Sequence, residues 1–353
     1  MSRFFSEKYK QLTPYTPGEQ PAYTQCIKLN TNESPFPPSK KAIKYAFKAS
    51  HELNLYPDPE CRVLTQKLAD ITGTEKDEIL VTNGSDEILN FAFMAFCDEN
   101  HPAVFPDITY GFYSVFAQIN NIPYEEIPLK ADFTIDINDY IGINKNIFIA
   151  NPNAPTGILI PRDDIEKIVK SNPDNIVVID EAYVDFGNES CIPLIKKYDN
   201  LLVTQTFSKS RSMAGARLGF GAGCKELIRD LNTIKYSTNP YNINKMTMAA
   251  GTGVLEDEKY TRKNCKTIIK NRKFTTKELK KLGFELTDSK TNFVFAKNDK
   301  IDGKELYLKL KQKGVFVRHF DKKEIYDYNR ITIGTKKEMQ TLISEIKEIL
   351  EEK

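Results

Sequence analysis
The chain has 353 residues, 40% apolar and 28% charged, with 50 Lys and Arg against 48 Asp and Glu for a net charge of +2. That length exceeds what one core grows to, so two domains or one large domain with a smaller lobe are expected, and the charge balance offers nothing to nucleic acid or an anionic membrane. No apolar run of about 20 residues is present, the six cysteines lack any Cys-x-x-Cys spacing and the three histidines lack a ligand spacing, which excludes a zinc module and points to a reducing, cytoplasmic setting.

The proline-rich start reads as a loop-like arm as far as Pro38. Helices are expected over 39–49 and 61–72, then a short strand at 79–82. That strand ends at Asn83-Gly84-Ser85-Asp86-Glu87, and 88–96 reads as a helix. A glycine turn between strand and helix offers backbone N–H groups and the positive end of the helix dipole to an anion, with the Ser85 hydroxyl beside them. Capping by Ser85 or Asp86 is the plainer alternative, and both roles can coexist.

Strand and helix signals then alternate: strand 103–105, helix 110–119, strand 146–150, helix 163–170, strand 176–180 and strand 201–204. Alternation of this kind predicts a mainly parallel sheet covered on both faces. The strand at 146–150 runs into Asn151-Pro152-Asn153-Ala154-Pro155-Thr156-Gly157, a rigid turn able to present amide groups to a ring, or simply a tight loop. The β-branched run 176–179 ends in Asp180-Glu181, with Tyr183 just beyond. Acids at the carboxyl end of a buried strand lie at the mouth of an open α/β sheet, where ligands bind. Asp180 can pair there with a pyridine nitrogen and hold its proton, or cap the next helix.

Next come Thr206-Phe207-Ser208-Lys209-Ser210-Arg211 and Gly215-Ala216-Arg217-Leu218-Gly219-Phe220. They set one lysine among hydroxyls and guanidiniums, the chemistry needed to attach an aldehyde covalently and to neutralise a phosphate dianion. A solvated surface loop is the alternative. Glycines at 219, 221 and 223 lack the strand, turn, helix and acid of a dinucleotide fingerprint. Beyond Tyr241 the texture changes: one long helix from about 245 through the lysine-rich 263–282, strands 284–286 and 292–295, helix 303–313, strands 315–317 and 330–333, and a helix from Lys336. The lysines read as the solvated side of a helix whose buried side is Ile268, Ile269 and Leu279. This part reads as a smaller α+β lobe.

In this order and spacing, the motifs at 151–157, 176–183 and 206–220 resemble the fold type I pyridoxal phosphate-dependent aminotransferases, and more narrowly their histidinol-phosphate branch. Leu12-Thr13-Pro14-Tyr15, Leu29-Asn30-Thr31-Asn32-Glu33, Tyr56-Pro57-Asp58, Gly84-Ser85-Asp86-Glu87, Tyr110-Gly111-Phe112-Tyr113 and Asn329-Arg330-Ile331-Thr332-Ile333-Gly334-Thr335 match the same pattern, so the resemblance spans Leu12 to about Thr335. It implies an α/β fold type I architecture with an N-terminal arm (1–29) packing with the small domain, a large domain on a mainly parallel mixed sheet (30–245) and a smaller α+β domain (246–353). The run from Gly219 to Gly223 becomes an edge strand. The implied cofactor is pyridoxal 5'-phosphate, with no metal. Lys209 would carry it and shuttle a proton, which needs a depressed pKa. Asp180 would hold the pyridine nitrogen, Tyr183 the phenolic oxygen, and Tyr110 would stack on the ring. Gly84, Ser85, Asp86, Thr206, Ser208 and Arg217 would hold the phosphate together with Tyr56 of a second subunit, which implies a homodimer acting in trans.

One position departs from the family pattern. Asn usually precedes Pro-Thr-Gly, and this chain has Ala154 there, so either Asn153 reaches the phenolic oxygen or Tyr183 carries that contact alone, and Asn153 is the expectation. Arg330 and Arg318 would bind the substrate, two guanidiniums suiting a dianion, with Tyr15 and Asn32 completing the pocket. The implied reaction is transamination of L-histidinol phosphate with 2-oxoglutarate. An aromatic amino acid aminotransferase and a threonine-phosphate decarboxylase remain open, while a cofactor-sensing regulator is disfavoured because only about 30 loop-like residues precede the first Asn-Glu pair.

Overall fold
Short β-branched and aromatic segments assemble into a seven-stranded sheet in the computed structural model, which describes residues 2–10, 12–21 and 26–352. Part of the expected arm, 22–25, lies outside the described residues. Across the sheet the strands run β2 (Ile79–Thr82), β8 (Gly219–Ala222), β7 (Leu201–Thr206), β6 (Val177–Asp180), β5 (Asn146–Ala150), β3 (Ala103–Pro106) and β4 (Tyr124–Ile127). All pairings are parallel except those of β8, which runs antiparallel to both β2 and β7.

Period-two alternation decides what each face touches. Ile147, Ile149, Val177 and Ile179 pack with the layer of α2 (Arg62–Thr72), α5 (Arg162–Ser171) and α7 (Lys245–Leu255). Phe148 and Val178 point the other way, toward α3 (Ser85–Phe96), α4 (Phe112–Ile119) and α6 (Lys225–Thr238). Strands buried on both faces read as continuous apolar runs, which is why β5 and β6 are so plain in the sequence. The exposed β4, Tyr-Glu-Glu-Ile, was not expected; its acids suit a sheet edge open to water. Helix α6 was also unforeseen, and α3 starts directly at Ser85 rather than at 88.

Two expectations are corrected. Residues 219–222 are not an edge strand but lie inside the sheet between β2 and β7. Glycine permits this, because a Cβ on Gly219 would lie 2.5 Å from Gly84 C and from Ser85 N. The long helix expected from 245 is two helices, α7 and α8 (Glu258–Lys281), separated at Glu256 and Asp257, where Asp257 leaves helical geometry (ψ 45°). Glu256 is turned back to α1 (Lys40–Ser50) and α2, accepting from Tyr45 Oη at 2.7 Å and pairing with Lys67 at 2.8 Å. Ala250, Val254 and Leu255 of α7 accordingly pack in the core of the large sheet.

A second, antiparallel sheet runs β12 (Arg318–His319), β13 (Asn329–Thr332), β10 (Phe293–Asn298) and β9 (Phe284–Leu286). Its apolar side packs with α8, α9 (Gly303–Gln312) and α10 (Lys336–Glu351). The strand expected at 315–317 is divided: β11 (Val315–Phe316) pairs in parallel with β1 (Ile27–Lys28), while Arg318 and His319 turn to β13. The arm also meets this lobe through Lys311 and Glu19, 2.9 Å apart. No helix of the described residues is long and apolar enough to cross a membrane. Gly219→Ala should cost about 1–3 kcal/mol through forced backbone displacement, measured as a lower urea midpoint with an unchanged m-value.

Candidate active site
The carboxyl ends of β6 and β7 and the turn after β2 open on a cavity of about 390 Å³. Ser85, Asp86, Tyr110, Asp180, Tyr183, Thr206, Ser208, Lys209 and Arg217 all line it. It continues into a larger cleft of about 920 Å³ that adds Tyr15, Asn32, Arg318 and Arg330.

One end is a cradle of donors. Gly84, at φ +76°, is the N-cap of α3 and offers no side chain to the first N–H groups of that helix. Its missing Cβ is also needed, since one would come within 2.6 Å of Arg217 Nη2. Arg217, itself at φ +53°, pairs with Asp86 at 2.8 Å, and its Nη1 donates to Ser208 Oγ at 3.4 Å. Thr206 Oγ1 donates to Ser208 Oγ at 3.0 Å. A helix N-terminus, two hydroxyls and a guanidinium, brought from three segments to one cavity, fit a phosphate dianion.

Beside the cradle stand the lysine and the acid. Lys209 Nζ donates to the Thr31 carbonyl at 3.1 Å and lies 6.0 Å from the centre of the Tyr183 ring. Burial, then the nearby Arg330 charge, push its amine down to about 8. Asp180 is 4% exposed and accepts from Tyr113 Oη at 3.3 Å and from the Ala182 N–H at 3.2 Å. Burial, helped by the Asp86 charge, pushes it up to about 7, the condition of an anion awaiting a cation. Glu181, one residue on, turns away from the cavity and accepts from Ser190 Oγ at 2.6 Å and Gln205 Nε2 at 2.9 Å. Burial still raises it to about 6.

Tyr110 Oη donates to Asp86 Oδ1 at 2.6 Å, which fixes its ring on the cavity wall. Tyr183 Oη accepts from Asn32 Nδ2 at 2.9 Å. Asn153 is placed differently from expectation: its amide donates to the Ile108 carbonyl and to Thr156 Oγ1, at 2.9 and 3.0 Å, and its oxygen accepts from Thr109 Oγ1 at 2.9 Å. The amide is spent on holding the turn, and Ala154 is the residue that faces the cavity. Asn32, anchored by Thr332, is the amide beside the Tyr183 hydroxyl. Tyr113 has no role of its own in the sequence reading; the clue is its hydroxyl, since a fully buried tyrosine needs a partner that phenylalanine does not.

At the far end, Arg318 and Arg330 face each other across the β12–β13 ladder. Arg330 is enclosed between the rings of Phe293 and Phe320, 5.4 and 5.7 Å away, and donates to the Asn30 carbonyl at 2.9 Å. Its Nε is buried without an acceptor among the described residues. Arg318 donates to the carbonyls of Thr16 and Pro17 at 3.1 and 3.3 Å. Like charges placed opposite one another across a ladder are destabilising, and an anion between them would offset that repulsion. Tyr56 is not in the cleft: it is 79% exposed and stacks on Tyr241 at 4.6 Å.

The model of the aminotransferase class I and II family matches residues 24–346. The chain is similar to histidinol-phosphate aminotransferase of Brachyspira hyodysenteriae, 49% identical over 99% of both chains. It is 45% identical to histidinol-phosphate aminotransferase of Clostridium beijerinckii, over 99% of this chain and 98% of that one. Its fold resembles the crystal structure of histidinol-phosphate aminotransferase from Sinorhizobium meliloti in complex with pyridoxal-5'-phosphate, with a TM-score of 0.85 at 23% identity over 92% and 91% of the two chains.

Because Asp180 titrates near 7 when folded against an ordinary 3.8, folding takes up a proton between those values, and stability falls as pH rises across them. Asp180→Asn should flatten that fall in urea unfolding of the protein without added ligand. Glu181 leaves a smaller slope of the same sign.

Proposed function
The chain belongs to the class I and II aminotransferase family, and from that premise we propose that it transfers the amino group of L-histidinol phosphate to 2-oxoglutarate, giving imidazole acetol phosphate and L-glutamate. The carrying observation is a desolvated lysine between a buried carboxylate and an anion cradle, with a facing arginine pair beyond it. Pyridoxal phosphate bound there supplies an electron sink for the carbanion left when the substrate Cα loses its proton.

The residues divide that work. The first N–H groups of α3 at Ser85 and Asp86, with Thr206, Ser208 and Arg217, hold the cofactor phosphate. Tyr110 bounds the ring plane. Asp180 would hold the pyridine nitrogen protonated, and the carboxyl of Asp180 would be drawn back down by that positive charge. Tyr183 donates to the phenolic oxygen while Asn32 donates to Tyr183. Lys209, with its amine held near neutrality, takes the proton from Cα and returns it. Arg318 and Arg330 bind the substrate phosphate, and Tyr15 closes the cleft near them. The acting lobes are 30–245 and 246–353, with α7 contributed to the core of the first; among the described residues of the arm, Glu19 and Ile27–Lys28 meet the second lobe while Tyr15 stacks on Phe112 of the first.

Tyr56 serves the cofactor phosphate of a partner subunit in a homodimer. Its exposure, together with that of Phe47, Leu53, Leu55 and Val63, supports this, since an apolar patch of that kind needs a cover. Cys61, Cys97, Cys191, Cys224 and Cys265 are in no disulfide among the described residues, as a cytoplasmic enzyme permits.

Lys209→Ala should lower turnover by about 10³-fold or more, and borohydride reduction of the wild type should label Lys209 in peptide maps. Arg318→Ala should raise KM for histidinol phosphate roughly 10- to 100-fold, with a much smaller effect on unphosphorylated histidinol. Carbon dioxide release from threonine phosphate would decide for the decarboxylase instead. Mixing inactive Lys209→Ala subunits with Tyr56→Ala subunits should restore activity, because each hybrid dimer holds one site with both residues intact.

A further inference from the structure
We propose that Asp185 is a positioning residue that aims Lys209 into the cavity by tying the lysine loop to the segment carrying Tyr183. Residues 184–186 form a single 3-10 turn directly after Tyr183. From that turn one carboxylate oxygen, Asp185 Oδ2, accepts from the Ser210 hydroxyl and from Arg211 Nη1, the latter at 2.8 Å. Ser210 and Arg211 are the two residues that follow Lys209.

The contact is sheltered. The Arg211 side chain is 11% exposed, and its guanidinium lies 5.0 Å from the centre of the Phe207 ring. A charge-assisted bond in such surroundings is screened far less than a surface pair. Upstream of the lysine, Ser208 is held by the Thr206 hydroxyl through its own N–H at 3.1 Å. Downstream, Asp185 closes the other flank, and Ser212 Oγ bonds Ser34 Oγ at 2.9 Å further along.

Lysine has a long, flexible stem whose direction comes from the backbone beneath it. Holding that backbone on both sides is what keeps Nζ within reach of a ligand on Asp180 and Tyr183. Asp185 itself does not line the catalytic cavity. It borders a separate one of about 300 Å³ behind the loop, so its effect must pass through Lys209.

This role deepens the proposed aminotransferase function and rests on it. The test compares two cofactor forms in wild type, Asp185→Asn, Asp185→Ala and Asp185→Glu. Pyridoxamine phosphate has no aldehyde for Lys209 and reports the cradle and the ring contacts without the lysine bond; pyridoxal phosphate reports those same contacts plus the lysine. In Asp185→Asn and Asp185→Ala we expect unchanged affinity for pyridoxamine phosphate, weaker binding of pyridoxal phosphate, and kcat lowered roughly 10- to 100-fold at constant KM for the amino donor. Asp185→Glu, which keeps the charge, should recover part of both losses. Equal loss of affinity for the two forms would mean a merely structural aspartate and would overturn the proposal. So would variants with wild-type kcat and pyridoxal phosphate affinity. A wild type that takes up no pyridoxal phosphate on Lys209 would bring down the aminotransferase assignment and the clamp together, whereas a normal wild type beside unaffected variants sinks the clamp alone.

Discussion
Two backbones meet where the turn at Gly84–Ser85 lies against Gly219, too close for any side chain between them. The site hangs on that approach. It brings β8 into the interior of the sheet and the end of the lysine loop against the N-terminus of α3. Arg217, two residues before Gly219, is thereby delivered to Asp86 and Ser208. Had the chain carried alanine at either glycine, the guanidinium or the strand would have had to move, and the donors would no longer converge on one point.

Around that fixed corner, water exclusion sets the chemistry. Removing a charge from water disfavours it, so burial, reinforced by a like charge from Asp86 on Asp180 and from Arg330 on Lys209, moves both toward their neutral forms. Neither is hydrogen-bonded to an opposite charge among the described residues. Asp180 accepts from a tyrosine hydroxyl and a backbone N–H, and Lys209 donates to a carbonyl, with the Asp86 and Glu33 carboxylates acting on it from further off. The protein therefore holds an acid and a base whose charges are completed by what binds between them. Hydrogen bonds to both, and the tie from Asp185, fix where those charges will appear.

The parts legible in the sequence were those in which local pattern and tertiary role coincide. Strands buried on both faces announced themselves as apolar runs, and the glycine turn before α3 carried its strand-to-helix form in five residues. What stayed hidden depended on distant neighbours. That residues 219–222 are interior follows from a contact with Gly84, which is 135 positions away by subtraction of the two residue numbers. The division of α7 from α8 comes from Glu256 reaching Lys67 and Tyr45, not from any proline or glycine at the break. Asn153 looked free to point into the site, but its amide is consumed by Ile108, Thr156 and Thr109, and the neighbouring amide that does serve Tyr183 comes from position 32. Tyr113 looked like core because it is core; only its hydroxyl differs.

Arg318 and Arg330 stand opposite each other, and among the described residues their recorded contacts are carbonyls and aromatic faces. Mutual repulsion there would be relieved by any compact tetrahedral dianion, whatever it is esterified to. On the proposed reading, in which a substrate phosphate sits there, inorganic phosphate and sulfate contend for the same ground. The apparent Michaelis constant then becomes a property of the buffer as much as of the polypeptide, and rises with the concentration of such salts while that for an unphosphorylated analogue stays level.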